Sequence, residues 1–148
     1  FLKKNNCKII FEPGRSIIGN AGILITKVIY IKESQTKNFV ILDAAMNDFM
    51  RPALYGAKHR IIPLNKKKKI SKKTYEFVGP ICETTDKFLT VDKYQKMNQT
   101  DIIIICDVGA YGMVLSSNYN LRPKPAEILV NKASTKIITK RQKLNNII

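Results

Sequence analysis

The stretch GILITKVIYIKESQTKNFVILDAAM, residues 22–46, decides the fold class of this chain. Its first half has the period of two that is typical of a β-strand, and one face would carry Ile23, Ile25, Lys27, Ile29 and Ile31. Lys27 interrupts this otherwise apolar face. A polar loop at residues 34–37 leads into a second apolar run, NFVILDAAM, so residues 23–45 are predicted to form a β-hairpin.

Short strand-like segments continue on both sides of this hairpin. CKIIF, residues 7–11, is apolar and predicts a buried strand that runs into the turn EPGR. Further strands are predicted at RIIPL, YEFVGPI and DIIIICD, and a second hairpin at AEILV and KIITK. Many short strands at near-regular spacing indicate a mainly β protein, a barrel or a sandwich, rather than a helical bundle.

Helical segments are predicted to be few and short. Residues 16–21 and 114–117 would each form one or two turns, and residues 47–55 would be irregular or briefly helical, with Pro52 as a breaker. The single histidine, His59, is expected in a surface loop without a functional role. Cysteines 7 and 106 lie in apolar segments and are expected in the core.

Composition places the chain among globular proteins. Its 148 residues are 45% hydrophobic, and a chain of this length can bury roughly two-thirds of its unfolded surface. The three cysteines show no CxxC spacing, which argues against a structural zinc site or a disulfide framework and favours a reducing compartment. The longest apolar run, residues 102–106, is far below the roughly 20 residues of a membrane span. A cytoplasmic protein with no membrane partner is therefore expected.

The net charge of +15 raises nucleic acid as a partner. However, only five of the 26 basic residues are arginine, and base recognition relies heavily on the arginine fork. The densest cluster, Lys66–Lys69 with Lys72 and Lys73, has no interleaved aromatic residues. It is interpreted as a solvated loop, so no nucleic-acid partner is expected. A basic β-barrel that binds nucleic acid with steep salt dependence remains the alternative.

Four polar clusters at strand ends carry the chemistry. They are EPGR at residues 12–15, AMNDFMRPALYGA at 45–57, GPICETTD at 79–86 and DVGAYG at 107–112. The first combines a glycine, which allows close ligand approach, with an arginine that can grip a carboxylate or a phosphate. The second spaces Arg51 and Tyr55 four residues apart. The third sets Cys82 beside Glu83, and the fourth places Tyr111 between two glycines. Taken alone, each has an ordinary structural explanation: a turn with a surface ion pair, a strand entry with Arg51 solvated, a cysteine that is a small buried hydrophobic residue, and a tyrosine that only packs.

In order and spacing these clusters resemble the C-terminal part of the diaminopimelate decarboxylase family, pyridoxal-phosphate enzymes of fold type III. The similarity runs from Ile9 to Ile138, through EPGRSIIGNAG, LDAAMNDFMRPALYGA, VGPICETTD, GAYG and SNYNLRPKPAE. The related ornithine and arginine decarboxylases share an EPGR-like turn, but they typically carry Asp after the cysteine and lack the AMNDFMRPALYGA block. The Cys-Glu pair and RPALY therefore favour the diaminopimelate branch, with the ornithine and arginine enzymes as alternatives.

The resemblance implies a division of the chain into two parts. Residues 1–22 would be the end of a pyridoxal-binding (β/α)8 barrel, comprising its last strand, the EPGR turn and a short helix. Residues 23–148 would be the C-terminal β domain, a barrel or sandwich of the kind found in alanine-racemase-like decarboxylases, with a final segment that could return to the (β/α)8 barrel. The implied activity is that of a carboxy-lyase, converting meso-2,6-diaminopimelate to L-lysine and CO2 in lysine biosynthesis.

Roles follow from the resemblance residue by residue. The turn Glu12, Pro13, Gly14 and Arg15, together with Tyr111, would bind the pyridoxal 5'-phosphate cofactor. The substrate would contact Arg15, Arg51, Tyr55, Glu83 and Tyr111, with the two arginines gripping its distal carboxylate and Glu83 its distal ammonium. Cys82 would be the catalytic proton donor. No metal ligands are implied.

The resemblance also implies what this chain lacks. None of its 21 lysines lies in the context of the family's Schiff-base lysine, so we expect a fragment of a longer protein that is inactive alone. In the family, two subunits complete each site, which implies a homodimer of the full-length protein. Thr85 stands where the family usually has Gly. An inactive remnant that serves only as an interaction domain is a third interpretation.

Overall fold

A computed structural model describes residues 2–67 and 70–148, and its main feature is one six-stranded sheet. The strands are β1 (Ile23–Glu33), β2 (Lys37–Leu42), β3 (Ile61–Pro63), β4 (Thr74–Val78), β5 (Lys87–Val91) and β6 (Ile102–Cys106). Their order is β3-β6-β1-β2-β4-β5, and all neighbours are antiparallel except the parallel pair β2 and β4. The sheet curls into a half-barrel. The mainly β fold and the β1–β2 hairpin are thereby confirmed.

The core of the domain is one cluster of buried apolar side chains that pack against the sheet. Aromatic rings of β4 pack with Tyr94, whose ring centroid lies 5.2 Å from that of Phe77. Strand β5 belongs to this core through Phe88, although the sequence pattern did not predict it. The buried members of the cluster are Val28, Val40, Leu42, Ala44, Phe49, Ile61, Tyr75, Phe77, Phe88, Met97, Ile103 and Ile105.

Ile23, Ile25 and Ile29 of β1 share one face, as the alternation predicts, and that face is exposed. The residues that face the core are Leu24, Thr26 and Val28, whereas Ile23 and Ile25 are 54% and 63% exposed. Leu24 and Thr26 pair with residues 105 and 103 of β6, which are fully buried, and directly paired residues share a face. A bulge between residues 28 and 30 then shifts the alternation, so that Ile31 packs against the core.

The helices are short, and one residue in them corrects an expectation. α1 spans Leu2–Asn5 and α2 spans Arg51–Tyr55, with 3-10 turns at Gly14–Ser16, Gly19–Ala21, Met113–Leu115, Tyr119–Leu121 and Leu144–Asn146. Pro52 does not break the helix but lies in the first turn of α2, where its missing N–H has no intrahelical partner to lose. Gly56 ends α2 with a φ of 61° and donates its N–H to the Pro52 carbonyl.

Residues 7–11 do not form the buried strand that their composition predicts. Ile9, Ile10 and Phe11 are 52%, 87% and 80% exposed, and no strand forms there. A strand needs a neighbour for its backbone groups, and no described strand pairs with this segment. Cys7 is accordingly exposed rather than in the core, whereas Cys106 is buried as expected.

The second predicted hairpin is present but stands apart from the sheet. β7 (Glu127–Asn131) pairs with β8 (Ser134–Thr139), and every residue in the two strands except Glu127 is exposed. The segment after it is tied back, because the Gln142 side chain accepts a hydrogen bond from Asn118 at 2.6 Å. None of the helices within residues 2–67 and 70–148 has the length and apolar content needed to cross a membrane.

The predicted lysine loop is only partly solvated. Lys66 and Lys72 are exposed, while Lys68 and Lys69 lie outside the described residues. Lys67 forms an ion pair with Asp101, with Nζ 2.5 Å from Oδ2. Lys73 donates a hydrogen bond from Nζ to the carbonyl of Ser34.

Candidate functional site

The EPGR turn is joined to the GAYG cluster by the Arg15 side chain. Arg15 Nη2 donates a 2.9 Å hydrogen bond to the carbonyl of Asp107, 92 residues away. The guanidinium lies over Gly19, where a Cβ would come within 3.7 Å of both Nε and Nη2. Arg15 Nε is buried and has no hydrogen-bond partner within residues 2–67 and 70–148. A charged donor is therefore held at a fixed place with one of its N–H groups unused.

Close backbone packing brings these two clusters together. Val108 donates its N–H to the carbonyl of Gly22 at 3.0 Å, and Gly109 donates to Gly19 at 2.9 Å. A Cβ on Gly109 would collide with the carbonyl oxygen of Ile18. Glycine is therefore required at position 109 for the approach, which explains one glycine of the GAYG cluster by packing.

The exposed part of the EPGR turn leaves room for a ligand. Gly14 has a φ of 56°, in the left-handed region that favours glycine, and no atom lies within 4 Å of where its Cβ would be. Glu12 and Pro13 are exposed. The Pro13 carbonyl accepts hydrogen bonds from the N–H and the hydroxyl of Ser16, at 3.2 and 2.7 Å, which hold the turn.

Arg51, in the second cluster, lies next to Tyr111 of the fourth cluster. Its guanidinium carbon lies 5.5 Å from the ring centroid of Tyr55, one helical turn away, and 6.0 Å from that of Tyr111. Both tyrosines are about half exposed or more. Arg51 Nε is buried, and no described residue forms a hydrogen bond with it. The structure thus brings together Arg51, Tyr55 and Tyr111, and the Arg15–Asp107 bond anchors the cluster that contains Tyr111.

His59 lies between these groups and is not the surface residue that was expected. It is only 5% exposed, its Nδ1 lies 3.0 Å from the Cys106 carbonyl, and its ring packs edge-on against Phe49. Burial lowers the pKa of His59, the hydrogen bond to Cys106 opposes that shift, and the positive charges of Arg15 and Arg51 lower the pKa further. Ile61, two residues after His59, is buried, and every second residue of an extended segment lies on the same face. This spacing was the sequence signal that His59 faces the core.

A polar cavity of about 400 Å³ opens beside Arg15. An arginine, a lysine and a serine hydroxyl in its wall are groups that bind a carboxylate or a phosphate. Asp107 also lies in the wall, and its carboxylate is 3.6 Å from Arg60 Nε. The cavity is lined by Arg15, Ser16, Gly19, Asn20, Lys58, His59 and Asp107.

The Cys82–Glu83 pair lies in a separate loop. Among the described residues, no hydrogen bond, ion pair or ring contact joins Cys82 or Glu83 to the two arginines or to Tyr111. Cys82 is exposed, and Glu83 Oε1 lies 3.4 Å from both the N–H and the hydroxyl of Thr85. The Thr85 hydroxyl also lies 3.6 Å from Met46 Sδ, so this departure from the family pattern packs locally against the AMND turn.

Asp86 fastens this loop to the rest of the domain. Its carboxylate accepts hydrogen bonds from the N–H of Met46 at 2.7 Å and from that of Ile81 at 2.8 Å. A Cβ on Gly79 would collide with the Asp86 carboxylate, which explains the glycine there. Burial raises the pKa of Asp86, and the two backbone hydrogen bonds oppose that shift. Sequence reasoning missed Asp86, although it closes the GPICETTD motif.

Replacing Asp86 by alanine is expected to lower the free energy of unfolding by about 2 to 5 kcal/mol, because one buried and one partly buried N–H group lose their acceptor. Chemical denaturation measures the change. Asp92→Ala is the matched control, since Asp92 is exposed and, in the described part of the chain, accepts a hydrogen bond from the Thr74 hydroxyl alone. Equal destabilisation by the two variants would contradict the anchoring role.

Comparison with known proteins shows which family this chain belongs to. The family model described as the pyridoxal-dependent decarboxylase C-terminal sheet domain matches residues 16–109, more than half of the chain. The chain belongs to the pyridoxal-dependent decarboxylases. The recognised similarity is therefore confirmed at the level of the family, and with it the predicted mainly β domain.

Individual pyridoxal-dependent decarboxylases extend this match over nearly the whole chain. The diaminopimelate decarboxylase of Aquifex aeolicus is 47% identical over 99% of this chain and 35% of its own length. That of Vibrio cholerae is 45% identical over 98% of this chain and 34% of its own length. A crystal structure of the Helicobacter pylori enzyme complexed with L-lysine superposes with a TM-score of 0.85, at 42% identity, over 99% of this chain and 36% of that one. The chain thus spans about a third of the length of the relatives it matches.

A more distant pyridoxal-dependent decarboxylase shares the fold alone. The lysine/ornithine decarboxylase from Vibrio vulnificus, complexed with cadaverine, superposes with a TM-score of 0.65 at 21% identity and covers 74% of this chain. The diaminopimelate enzymes match more of the chain at about twice that identity. The sheet is therefore common to the wider group, whereas the sequence is closer to the diaminopimelate branch.

Proposed function

We propose that this chain is the C-terminal part of a diaminopimelate decarboxylase that converts meso-2,6-diaminopimelate to L-lysine and CO2. The observation that supports this most is the grouping of Arg51 with Tyr55 and Tyr111, beside a turn that Arg15 anchors. The curated relatives that match nearly the whole of this chain carry that name. On this proposal the protein acts in lysine biosynthesis in the cytoplasm.

Recognition of the substrate's distal end follows from charge. A diacid carries one carboxylate more than the monocarboxylic amino acids ornithine and lysine, and a guanidinium binds a carboxylate through two parallel hydrogen bonds. Arg15 and Arg51 both act electrostatically on His59, so the two guanidinium groups lie near the same place. We propose that these two side chains select the distal carboxylate and that the Tyr55 and Tyr111 hydroxyls complete its shell.

The cofactor side of the site fits pyridoxal 5'-phosphate. Gly14 leaves open space above the turn, and the half-exposed Arg15 beside it supplies positive charge for a phosphate or a carboxylate. We propose that Glu12, Pro13, Gly14, Arg15 and Tyr111 hold the group. When bound, pyridoxal phosphate supplies an electron sink for the pair released as the carbon–carboxyl bond breaks.

Cys82 and Glu83 are proposed to act in the active site of a second subunit. Cys82 would give its thiol proton to the α-carbon after CO2 has left, and Glu83 would accept a hydrogen bond from the distal ammonium. Among the described residues, no hydrogen bond, ion pair or ring contact joins Cys82 or Glu83 to Arg15, Arg51 or Tyr111 of the same chain. Cys82 is exposed, so a second subunit can contact it. A homodimer in which each loop completes the partner's site accounts for both facts.

The surfaces left uncovered support the proposed division at residue 22. The outer face of the sheet carries Ile23, Ile25, Ile62 and Ile104, since Ile104 pairs with both Ile25 and Ile62. Residues 9–11 are apolar and unpaired, and the β7–β8 hairpin exposes Ile128 and Ile137 on one face. We propose that residues 1–22 belong to a (β/α)8 barrel and that residues 23–148 form the β domain, with its final segment returning to that barrel.

Expressed alone, the 148-residue chain is expected to self-associate, because exposed apolar faces of this extent are covered in stable soluble proteins. Sedimentation velocity at several concentrations measures this. Charge-changing substitutions on the outer face, Ile25→Lys with Ile62→Glu, should shift the distribution toward monomer. A monodisperse monomer from the unaltered chain would contradict the proposal that these apolar faces are covered in the full-length protein.

The activity is tested on a full-length protein that contains this chain, loaded with pyridoxal phosphate. We expect CO2 release from meso-diaminopimelate at a kcat/KM at least about 100-fold above that for L-ornithine or L-arginine, since those substrates leave the arginine pair without a carboxylate. A preference for L-ornithine or L-arginine would overturn the proposal in favour of those branches. Release from none of the three substrates would reject the decarboxylase proposal.

A further inference from the structure

Arg122 lies in the segment SNYNLRPKPAE, to which the proposed function assigns no role. Its Nε donates a 2.9 Å hydrogen bond to Asn47 Oδ1, and its Nη2 donates a 2.5 Å hydrogen bond to the carbonyl of Asp43. Nη2 also lies 3.7 Å from the carboxylate of Asp48. One guanidinium therefore contacts both ends of residues 43–48, the segment that contains the AMND turn.

The groups that Arg122 contacts are buried and need partners. Asn47 is fully buried, and the Asp48 side chain is only 8% exposed. Burial raises the pKa of Asp48, whereas its hydrogen bond from the backbone of Ala45 and the positive charge of Arg122 lower it. Buried carboxylates and amides in native proteins are paired or hydrogen-bonded. Arg122 supplies a partner to each of these two side chains.

The backbone just before Arg122 has an unusual conformation. Asn120 and Leu121 both have a φ of 55°, in the left-handed region that leucine seldom adopts. Such residues persist where the surrounding structure determines them. Asn118 contributes to this, because its Nδ2 donates hydrogen bonds to the Arg122 carbonyl and to Gln142 Oε1, at 2.8 and 2.6 Å. The segment is thus fixed in the conformation that directs Arg122 toward the AMND turn.

The end of the AMND turn leads into the helix that carries Arg51. The Asp48 carboxylate accepts a hydrogen bond from the N–H of Ala45 at 2.8 Å, and the Ala45 carbonyl accepts from the N–H groups of Asp48 and Phe49. Phe49 is 1% exposed in the core, and α2 begins two residues after it. The position of Arg51 therefore depends on how the turn is held.

The middle of the AMND turn is attached to the loop of Cys82. Met46 donates its N–H to the Asp86 carboxylate at 2.7 Å, and the same carboxylate accepts from Ile81. Burial raises the pKa of Asp86, while these two backbone hydrogen bonds and the positive charge of Arg122 lower it. The same guanidinium therefore acts on both attachments of the turn.

We propose that Arg122 is a positioning residue for the decarboxylase reaction. It acts through the AMND turn, which places Arg51 at the distal carboxylate and fixes the base of the loop that carries Cys82. Loss of the guanidinium should therefore affect substrate binding and proton transfer together. This inference rests on the proposed function, which assigns those two roles.

Arg122→Met in the full-length, pyridoxal-loaded protein tests the inference, because methionine is also unbranched and has no donor. We expect KM for meso-diaminopimelate to rise about tenfold and kcat to fall about tenfold, since small displacements of reacting groups are costly. Arg122→Lys keeps a positive charge near Asp48 without the planar fork, so both of its constants should lie between those of Arg122→Met and wild type. Steady-state CO2 release per mole of folded protein measures both constants.

Val40→Ala is the control for a general loss of stability. Val40 is fully buried in β2, and its truncation leaves a cavity in the core. At a temperature where circular dichroism shows both variants folded, Val40→Ala should keep KM and kcat within about twofold of wild type. Equal constants for Arg122→Met and Val40→Ala would overturn the inference, because Arg122 would then contribute to stability alone.

A double variant separates hydrogen bonding from charge. Removing Arg122 also leaves the Asp48 carboxylate without its cation. Adding Asp48→Asn to Arg122→Met removes that charge, while Asn47 Oδ1 and the Asp43 carbonyl still lack their donor. We expect the double variant to be more stable than Arg122→Met and yet to stay at least about tenfold below wild type in kcat/KM. Full recovery of KM and kcat would overturn the inference. The double variant also provides the comparison with wild type if Arg122→Met does not fold.

Failure of the proposed function gives a different result. If wild type itself releases no CO2 from meso-diaminopimelate, the proposed function fails. An active wild type with unchanged KM and kcat in Arg122→Met rejects only the role of Arg122.

Discussion

Replacing Cys82 by alanine in the full-length protein is expected to lower kcat for meso-diaminopimelate by about 100- to 10,000-fold, the range that a positioned proton donor contributes. KM should change little, because the thiol acts after the carbon–carboxyl bond has broken and holds no part of the substrate. Steady-state CO2 release measures both constants. Cys82 is exposed in a loop fastened through Asp86, so the substitution should leave the fold intact.

Cys7→Ala is the matched control for this variant, because Cys7 is also an exposed free thiol and has no proposed role. Its kcat should stay within about twofold of wild type. Loss of turnover in both variants would indicate that cysteine removal is generally harmful. Unchanged turnover in Cys82→Ala would remove the proton-donor assignment while leaving substrate recognition by the arginines untouched.

Replacing Arg51 by glutamine is expected to raise KM for meso-diaminopimelate by about 10- to 150-fold, since hydrogen bonds to charged groups contribute about 1.5–3 kcal/mol. Arg51→Lys should recover only part of this, because an ammonium lacks the planar fork. The control is Arg141→Gln, which removes the same charge at an exposed position. Equal KM values for the two glutamine variants would contradict a carboxylate-binding role for Arg51.

Mixing the Cys82→Ala and Arg51→Gln variants tests whether sites are shared between subunits, provided that activity is measured at a meso-diaminopimelate concentration well below the wild-type KM, where both variants turn over slowly. If the loop of one chain completes the site of the other, a dimer of one Cys82→Ala and one Arg51→Gln subunit has one site with both defects and one intact site. Random mixing should then restore about a quarter of wild-type activity. Absence of any recovery, with mixed dimers demonstrated by mass spectrometry, would place both residues in the same chain's site.

Much of the fold follows from local pattern, and its failures have physical causes. The β1–β2 and β7–β8 hairpins were predicted because each joins two apolar runs through a short polar turn. Ile23, Ile25 and Ile29 of β1 share a face as predicted, but alternation does not fix which face is covered, and this one is exposed. Residues 7–11 were predicted as a strand from composition alone, which does not provide a neighbouring strand.

The candidate site depends on contacts that no local pattern contains. The Arg15–Asp107 bond spans 92 residues, and the Arg51–Tyr111 contact joins a helix to a distant turn. The order of the four clusters, through its resemblance to a known family, suggested that they act together. His59 escaped prediction because a single histidine in a polar stretch gives no sign of the carbonyl and the ring that enclose it.

The central claim is that separate polar turns of this chain surround one carboxylate of one ligand. The most direct test is a crystal structure of the full-length protein with pyridoxal phosphate and L-lysine bound. We expect the lysine carboxylate within hydrogen-bond distance of Arg15 and Arg51, with Tyr55 and Tyr111 beside it and Cys82 of the partner subunit facing the other end. L-lysine bound away from both guanidinium groups would contradict the account.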